Sequence, residues 1–300
     1  TKSLLEGVVA SAAFVNQGSD MVAGQGMQQA LLAAQNGTHT FGGVSAGRSR
    51  YPTGSHVDVK NVSVLLGLSN SIGNAAGNLT LGGFVELGQG GYDSFNSFAN
   101  RPDVRADGDL RYHGAGVLAR QDFKAGAFVE GSLRLGKARQ EYSSSDLTSG
   151  GKPTHYRRSS NYYGAHLGAG WSFGPFTLSG QYLWTHQKGG TVHLPSEPYQ
   201  FDAMNSQRLR IGGQYQHAIN DSATFQAGAA WEYEFDGKAA GRIFGRELAS
   251  PSLKGHTGIF NLGLRLKPGQ SKRLTVDLGA QGYVGMRRGV SGHVQLKYAF

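Results

Sequence analysis

Gly43-Val44-Ser45-Ala46-Gly47 spells GxSxG, the pattern in which a serine nucleophile sits on a sharp strand-to-helix turn and is served by His and Asp partners. The surroundings do not suit that chemistry. Residues at helical spacing precede the motif, and Arg48 to Gly54 after it reads as a turn. The 10 His include no HxxxH pair, no carboxylates cluster at ligand spacing, and the chain has no Cys, so no metal, no cofactor and no disulfide framework is expected. Gly24-Gln25-Gly26 lacks the third glycine of a dinucleotide loop and follows no strand. What remains is a set of full charges interleaved with apolar side chains: Glu86, Arg111, Glu130, Arg134, Arg208, Arg210, Glu232, Arg265 and Asp277. Such a set suits ion pairing and the holding of water.

The elements that position these charges have a period of two, the period of a strand. Leu79, Leu81, Gly83, Val85 and Leu87 oppose Thr80, Phe84 and Glu86; Val129, Gly131, Leu133 and Leu135 oppose Glu130, Ser132 and Arg134. Leu110, Tyr112, Gly114, Gly116 and Leu118 read as another apolar face. The rhythm runs from Phe41 to a terminal Val294, Leu296, Tyr298, Phe300, giving about twelve strands. Connections alternate. Long ones lie near 89–109, 138–160, 188–203 and 236–256, and short ones near 122–125, 174–175, 218–222 and 268–272. Trp171 and Phe173 sit beside a short turn; Trp184, Tyr233 and Phe235 lie toward long loops. A two-sheet sandwich also alternates, but it explains the loop rhythm less well and leaves two aromatic girdles unexplained, and both are features of a membrane barrel. A charge facing lipid at mid-depth costs about 2–4 kcal/mol, so the charged set is expected to line the pore.

Hydropathy does not oppose this. The mean is -0.35 and no stretch approaches the ~18 apolar residues of a membrane helix, but alternation dilutes a barrel's signal. The net charge is +9, yet Lys and Arg are scattered without a dense block, so nucleic acid is not an expected partner. No signal peptide is visible at Thr1, which reads as a processed chain or an excised C-terminal piece. Residues 1–36 differ from the rest. Leu4, Leu5, Val8, Val9, Ala12, Ala13 and Val15 recur at helical spacing, and Ser19 or Asp20 can cap a second stretch from Met21 to Ala34. Gly18, Gly24 and Gly26 weaken or bend it, and Gly37 is a stop signal. The mild face suits a capping helix or one threaded through a narrow polar hole.

Four stretches carry a resemblance: Ala12-Ala13-Phe14-Val15-Asn16-Gln17-Gly18-Ser19-Asp20, Phe41-Gly42-Gly43, Gly54-Ser55-His56-Val57-Asp58-Val59 and Tyr298-Ala299-Phe300. In that order, with the strands between, the chain resembles the C-terminal translocator domain of classical bacterial autotransporters of type V secretion over essentially its whole length. The resemblance implies an all-β membrane barrel of about 12 antiparallel strands with an N-terminal α-helix inside the pore. Residues 1–36 would be the linker and plug helix, and 37–300 the barrel in a Gram-negative outer membrane with its loops outside the cell. It further implies a passenger N-terminal to Thr1 and absent from this chain, outer-membrane lipid around the barrel, and insertion by the barrel-assembly machinery, with Leu296, Tyr298 and Phe300 as the assembly signal. One chain supplies a full set of strands, so a monomer is expected. Some members of the family release the passenger by cyclisation of a linker Asn with help from lumenal acids. Asn16, Glu86 and Glu130 are the candidates here, but Gln17 stands where that subgroup has a second Asn, and the chain is expected not to be an enzyme. The alternative is a passive channel without a passenger, which has no need of the Ala- and Gly-rich helix.

Overall fold

The computed structural model describes residues 2–34, 37–195, 198–269 and 273–298. The N-terminal stretch is helical throughout, from α1 (Ser3–Met21) through a π-helical turn at Val22–Gly26 to α2 (Met27–Ala34). Ser19 and Asp20 therefore lie inside α1 and cap nothing. Gly24 and Gly26 fall in the wider turn, which inserts into the hydrogen-bond ladder without ending the helix.

The strands follow in chain order: β1 (His39–Tyr51), β2 (His56–Asn74), β3 (Gly77–Phe98), β4 (Arg101–Phe123), β5 (Ala127–Ser149), β6 (Lys152–Phe173), β7 (Phe176–Gln187), β8 (Gly190–His193) and β9 (Pro198–Phe201). They continue with β10 (Met204–Asn220), β11 (Ala223–Glu234), β12 (Gly241–Ile243), β13 (Arg246–Glu247), β14 (Gly255–Leu266), β15 (Leu274–Gly285) and β16 (Arg288–Tyr298). Twelve of them close an antiparallel barrel in the order β1-β16-β15-β14-β11-β10-β7-β6-β5-β4-β3-β2. Closure through the β1–β16 pairing, from Thr40 opposite Tyr298 to Arg50 opposite Arg288, leaves no open edge for backbone groups to meet hydrocarbon. The ends of β1 and β16 that pair as Thr40–Tyr298 lie at the short-turn side, as an even strand number requires.

The outer wall is apolar over its middle. Leu66, Val85, Leu133, Leu167, Leu178, Ile211, Leu262 and Leu296 all face outward and are exposed. Aromatics mark both borders. Trp171, Phe173 and Phe176 stand at the short-turn end, with Trp171 Nε1 donating to Ala125 O at 2.9 Å. Tyr163, Trp184, Trp231 and Tyr233 group with His186 and His256 at the other. From Phe173 to Tyr163 is about 33 Å along a strand, and at a tilt of about 40° that is a band about 25 Å tall.

Two expectations of loop structure are corrected. The stretches 89–109 and 138–160 are strand: β3–β4 and β5–β6 stay paired almost to tight turns at 99–100 and 150–151. Beyond the apolar band both faces are polar or aromatic, so the alternation that marks a strand disappears from the sequence while the ladder continues. The stretches 188–203 and 236–256 supply β8, β9, β12 and β13, which form a second small sheet in the order β13-β12-β9-β8. Its Tyr199, Phe201, Val192 and Ile243 pack with Leu4, Leu5, Val8 and Val9 of α1.

Candidate functional site

The helix occupies the barrel interior and touches strands around the circumference, from β2, β3, β4 and β5 to β7, β10 and β16. In α1 all residues except Asp20 are buried, and Asp20 is partly buried. So long a buried element must have its polar groups met from the wall.

The first turn lies among the long hairpins. Ser3 Oγ and Tyr142 OH are hydrogen-bonded at 2.8 Å, and Tyr156 OH donates to Leu4 O at 2.8 Å. The Glu6 carboxylate accepts from Thr53 Oγ1 at 2.9 Å and Asn96 Nδ2 at 2.5 Å, with Lys2 Nζ at 3.8 Å. Burial lifts the Glu6 carboxyl above the ordinary carboxylate range, and Asn96, Thr53 and Lys2 pull it back only in part.

One layer deeper the helix must be narrow. A Cβ on Gly18 would lie 2.6 Å from Tyr112 Oη and 2.9 Å from Arg134 Nη2, so a larger residue cannot sit there without moving the wall. Phe14 packs edge-on against Tyr112 with centroids 4.9 Å apart. Arg134 donates from Nη1 to Val15 O at 2.9 Å and from Nε to Glu86 Oε1 at 2.9 Å, and Tyr162 OH donates to the same Glu86 oxygen at 2.6 Å. Gln187 Nε2 reaches Ser11 Oγ at 2.9 Å, and Asn16 Nδ2 reaches Ser206 Oγ at 2.9 Å.

The strongest grip is on Asp20. Its carboxylate faces Arg208 Nη1 and Arg210 Nη2, each at 2.7 Å, and Arg287 Nη1 at 3.2 Å. Glu232 closes the network at 2.6 Å from Arg210 and 3.3 Å from Arg208. Past the π turn the contacts are amide-rich. Gln181 donates to Ala23 O, Gln295 to Gln25 Oε1, Gln28 to Gln214, and Gln29 to the Asp277 carboxylate, which also pairs with Arg265 at 2.9 Å. A gap of about 290 Å³ remains beside α2, edged by Arg120, Gln181, Gln214 and Arg265.

Of the expected pore-lining charges, Glu86, Glu130, Arg134, Arg208, Arg210, Glu232, Arg265 and Asp277 face the lumen and pair there. Arg111 does not. On β4 it is Leu110, Tyr112 and Leu118 that point inward, because they pack against the helix, while Arg111 is exposed on the outer wall. Glu86 and Glu130 do not converge on Asn16: Glu86 is committed to Arg134 and Tyr162, and Glu130 to Arg120, Gln181 and the neighbourhood of His166. Ser45 lies mid-strand in β1, opposite His293 and Ser63 in register, with no elbow. Leu296 and Tyr298 face outward, and Phe300 lies outside the described residues. The sequence reading missed Glu6, the Asp20 network and Arg287. Arg287 falls between β15 and β16, where no alternation marks its direction.

A closed outer-membrane barrel filled by its own N-terminal helix is the architecture of a translocator unit. The profile of the autotransporter beta-domain family matches residues 36–281, and the chain belongs to that family. Its structure is similar to the translocator domain of autotransporter NalP from Neisseria meningitidis, at 15% identity and TM-score 0.72, covering 97% of this chain and 99% of that one. It is also similar to the beta domain of the Bordetella autotransporter BrkA (14% identity, TM-score 0.66, 88% and 100% covered) and the transport unit of AIDA-I from Escherichia coli (14%, 0.62, 91% and 97%). No curated protein sequence matches the chain. The fold and family place the chain in the outer membrane as a type V secretion translocator.

Proposed function

We propose that this barrel carries its own N-terminal passenger to the cell surface and that residues 2–34 then stay in the lumen as a plug. The direction of the helix carries this reading. Its first turn bonds to Thr53, Asn96 and Tyr142 among the long hairpins, and its last contacts, Ser69 to Ala30 O and Gln29 to Asp277, lie toward the short turns. In outer-membrane barrels the long connections lie outside. A chain preceding α1 therefore leaves on the outer side. The lumen admits one helix, about 10–12 Å across, so a passenger crosses unfolded and folds beyond the pore. Insertion by the barrel-assembly machinery fits the outward Leu296 and Tyr298 on β16, and a monomer fits the closed β1–β16 seam.

Translocation on this reading involves no bond making by the barrel. Asn16 Nδ2, the atom that would attack its own carbonyl carbon, is already donating to Ser206, and Glu86 and Glu130 are held by other partners. Asn16→Ala in a chain bearing a passenger is expected to leave the set of surface products unchanged apart from the mass of the substitution itself; loss of a released species would contradict this. The plug is tested by conductance in planar bilayers. The intact barrel is expected to be nearly closed and a barrel lacking residues 2–34 to be open. Equal, large conductance in both would favour a passive channel and overturn the proposal.

A further inference from the structure

We propose that the outer face of β3–β6 is a site for a phosphate-bearing lipid, gripped at its head by Arg111, Lys137 and Arg139 with His113, and along one acyl chain by a groove beneath them. The inference rests on the barrel's place in the membrane and not on secretion.

In the β4–β5 ladder Arg111 stands opposite Arg139, and His113 opposite Lys137. All four side chains are exposed on the outer wall, and none has an ion-pair partner among the described residues. Like charges directly opposite on one sheet face repel, so this square is uphill unless a countercharge arrives from outside. Neither nearby acid pairs with it among the described residues. Glu141, further along β5, is held by Arg157 at 2.9 Å, and Asp109 makes no ion pair among the described residues. Lys188 adds a further cation at this height, 5.6 Å from the Tyr163 ring centroid.

The height is informative. The next row toward the short turns is Val85, Ala115, Leu135 and Tyr163, the border of the apolar band, so the cations lie where headgroups lie. Below that border the same four strands form an outward groove of about 640 Å³. Ala119, Gly131 and Ala165 make its floor, and Leu81, Val117, Leu133 and Leu167 stand beside them, 44% to 70% exposed. From Arg139 to Gly131 is about 26 Å along the strand, a span suited to a long acyl chain. A cationic head site and an apolar furrow in line on one face fit a single amphiphile. A soluble anion would use only the upper half, and a membrane protein partner would have no reason to match both.

The test uses the full chain in micelles and native mass spectrometry, with dioleoyl phosphatidic acid, dioleoyl phosphatidylcholine and dihexanoyl phosphatidic acid as probes. The parent chain is expected to retain the long-chain phosphatidic acid at least about tenfold better than the choline lipid, and millimolar inorganic phosphate is expected not to displace it. R111Q/K137Q/R139Q should bring retention down to the choline level, while R111K/R139K retains it. A119F, which fills the groove, should weaken the long-chain lipid and leave the short-chain one unchanged. Equal retention by the triple variant, displacement by free phosphate, or lipid-independent pairing of two chains through this face would each overturn the proposal.

Discussion

At the residue scale the fit of helix to wall turns on Asp20. Three guanidinium groups converge on its carboxylate, and its loss would leave Arg287 without an ion-pair partner among the described residues and Arg208 and Arg210 sharing Glu232. Removing one member of a buried ion pair costs about 3–5 kcal/mol, because the partners stay buried and uncompensated. Asp20→Asn is therefore expected to loosen α1 while the barrel still closes. Hydrogen exchange should show faster amides over Ser3–Met21 and unchanged protection in β1 and β16; equal exchange in α1 would contradict the assignment. The arginines were legible in the sequence, because Arg208, Arg210 and Glu232 stand opposite Leu209, Ile211 and Trp231 on strands whose outer face is apolar. Asp20 was not, since a helix-forming stretch with an acid near glycines reads equally well as a cap. Arg111 was misread for a related reason. Where the plug packs, the inner wall is as apolar as the outer, and on β4 hydropathy names the wrong face.

At the scale of elements, the helix is held differently at its two ends. The inner end of α1 is fixed by ion pairs on Asp20, the outer end by Glu6, whose carboxyl is raised by burial from its ordinary value of 4.5. A raised carboxyl pKa means that the folded state holds its proton more firmly than the free chain does. The stabilisation is complete below 4.5 and is lost as pH rises through the raised value. The outer turn should thus seat more tightly in mild acid than at neutral pH. Glu6→Gln should flatten this dependence, read as the thermal midpoint in micelles between about pH 4 and 8; an unchanged slope would remove Glu6 as its source. Strands within the apolar band, β4 apart, could be read from their alternation. Their extensions past it could not, because Tyr92, Tyr142 and Tyr156 point inward there while charges such as Asp93, Arg105 and Arg157 point out into water.

At the scale of the whole molecule, the barrel is defined by what lies against its outside. Leu133 stands mid-band on β5 and is 62% exposed. Leu133→Arg is expected to cost about 2–4 kcal/mol in lipid vesicles, measured by urea titration of reversible folding, while Lys137→Leu near the border costs little. Equal effects at both positions would mean that the apolar band does not meet hydrocarbon. The walls of this cylinder are also of unequal height, since β3 to β6 run 22 or 23 residues and β14 to β16 only 11 or 12. Glu6 is bonded to Asn96, nine positions along β3 from Leu87 in the row of the headgroup cations, which is about 30 Å along the strand and about 20 Å of elevation once tilt is allowed for. Any domain joined to Lys2 is thus mounted on a pedestal, beginning its own fold well clear of the headgroups, with the tall hairpins as a parapet on one side and the small sheet on the other.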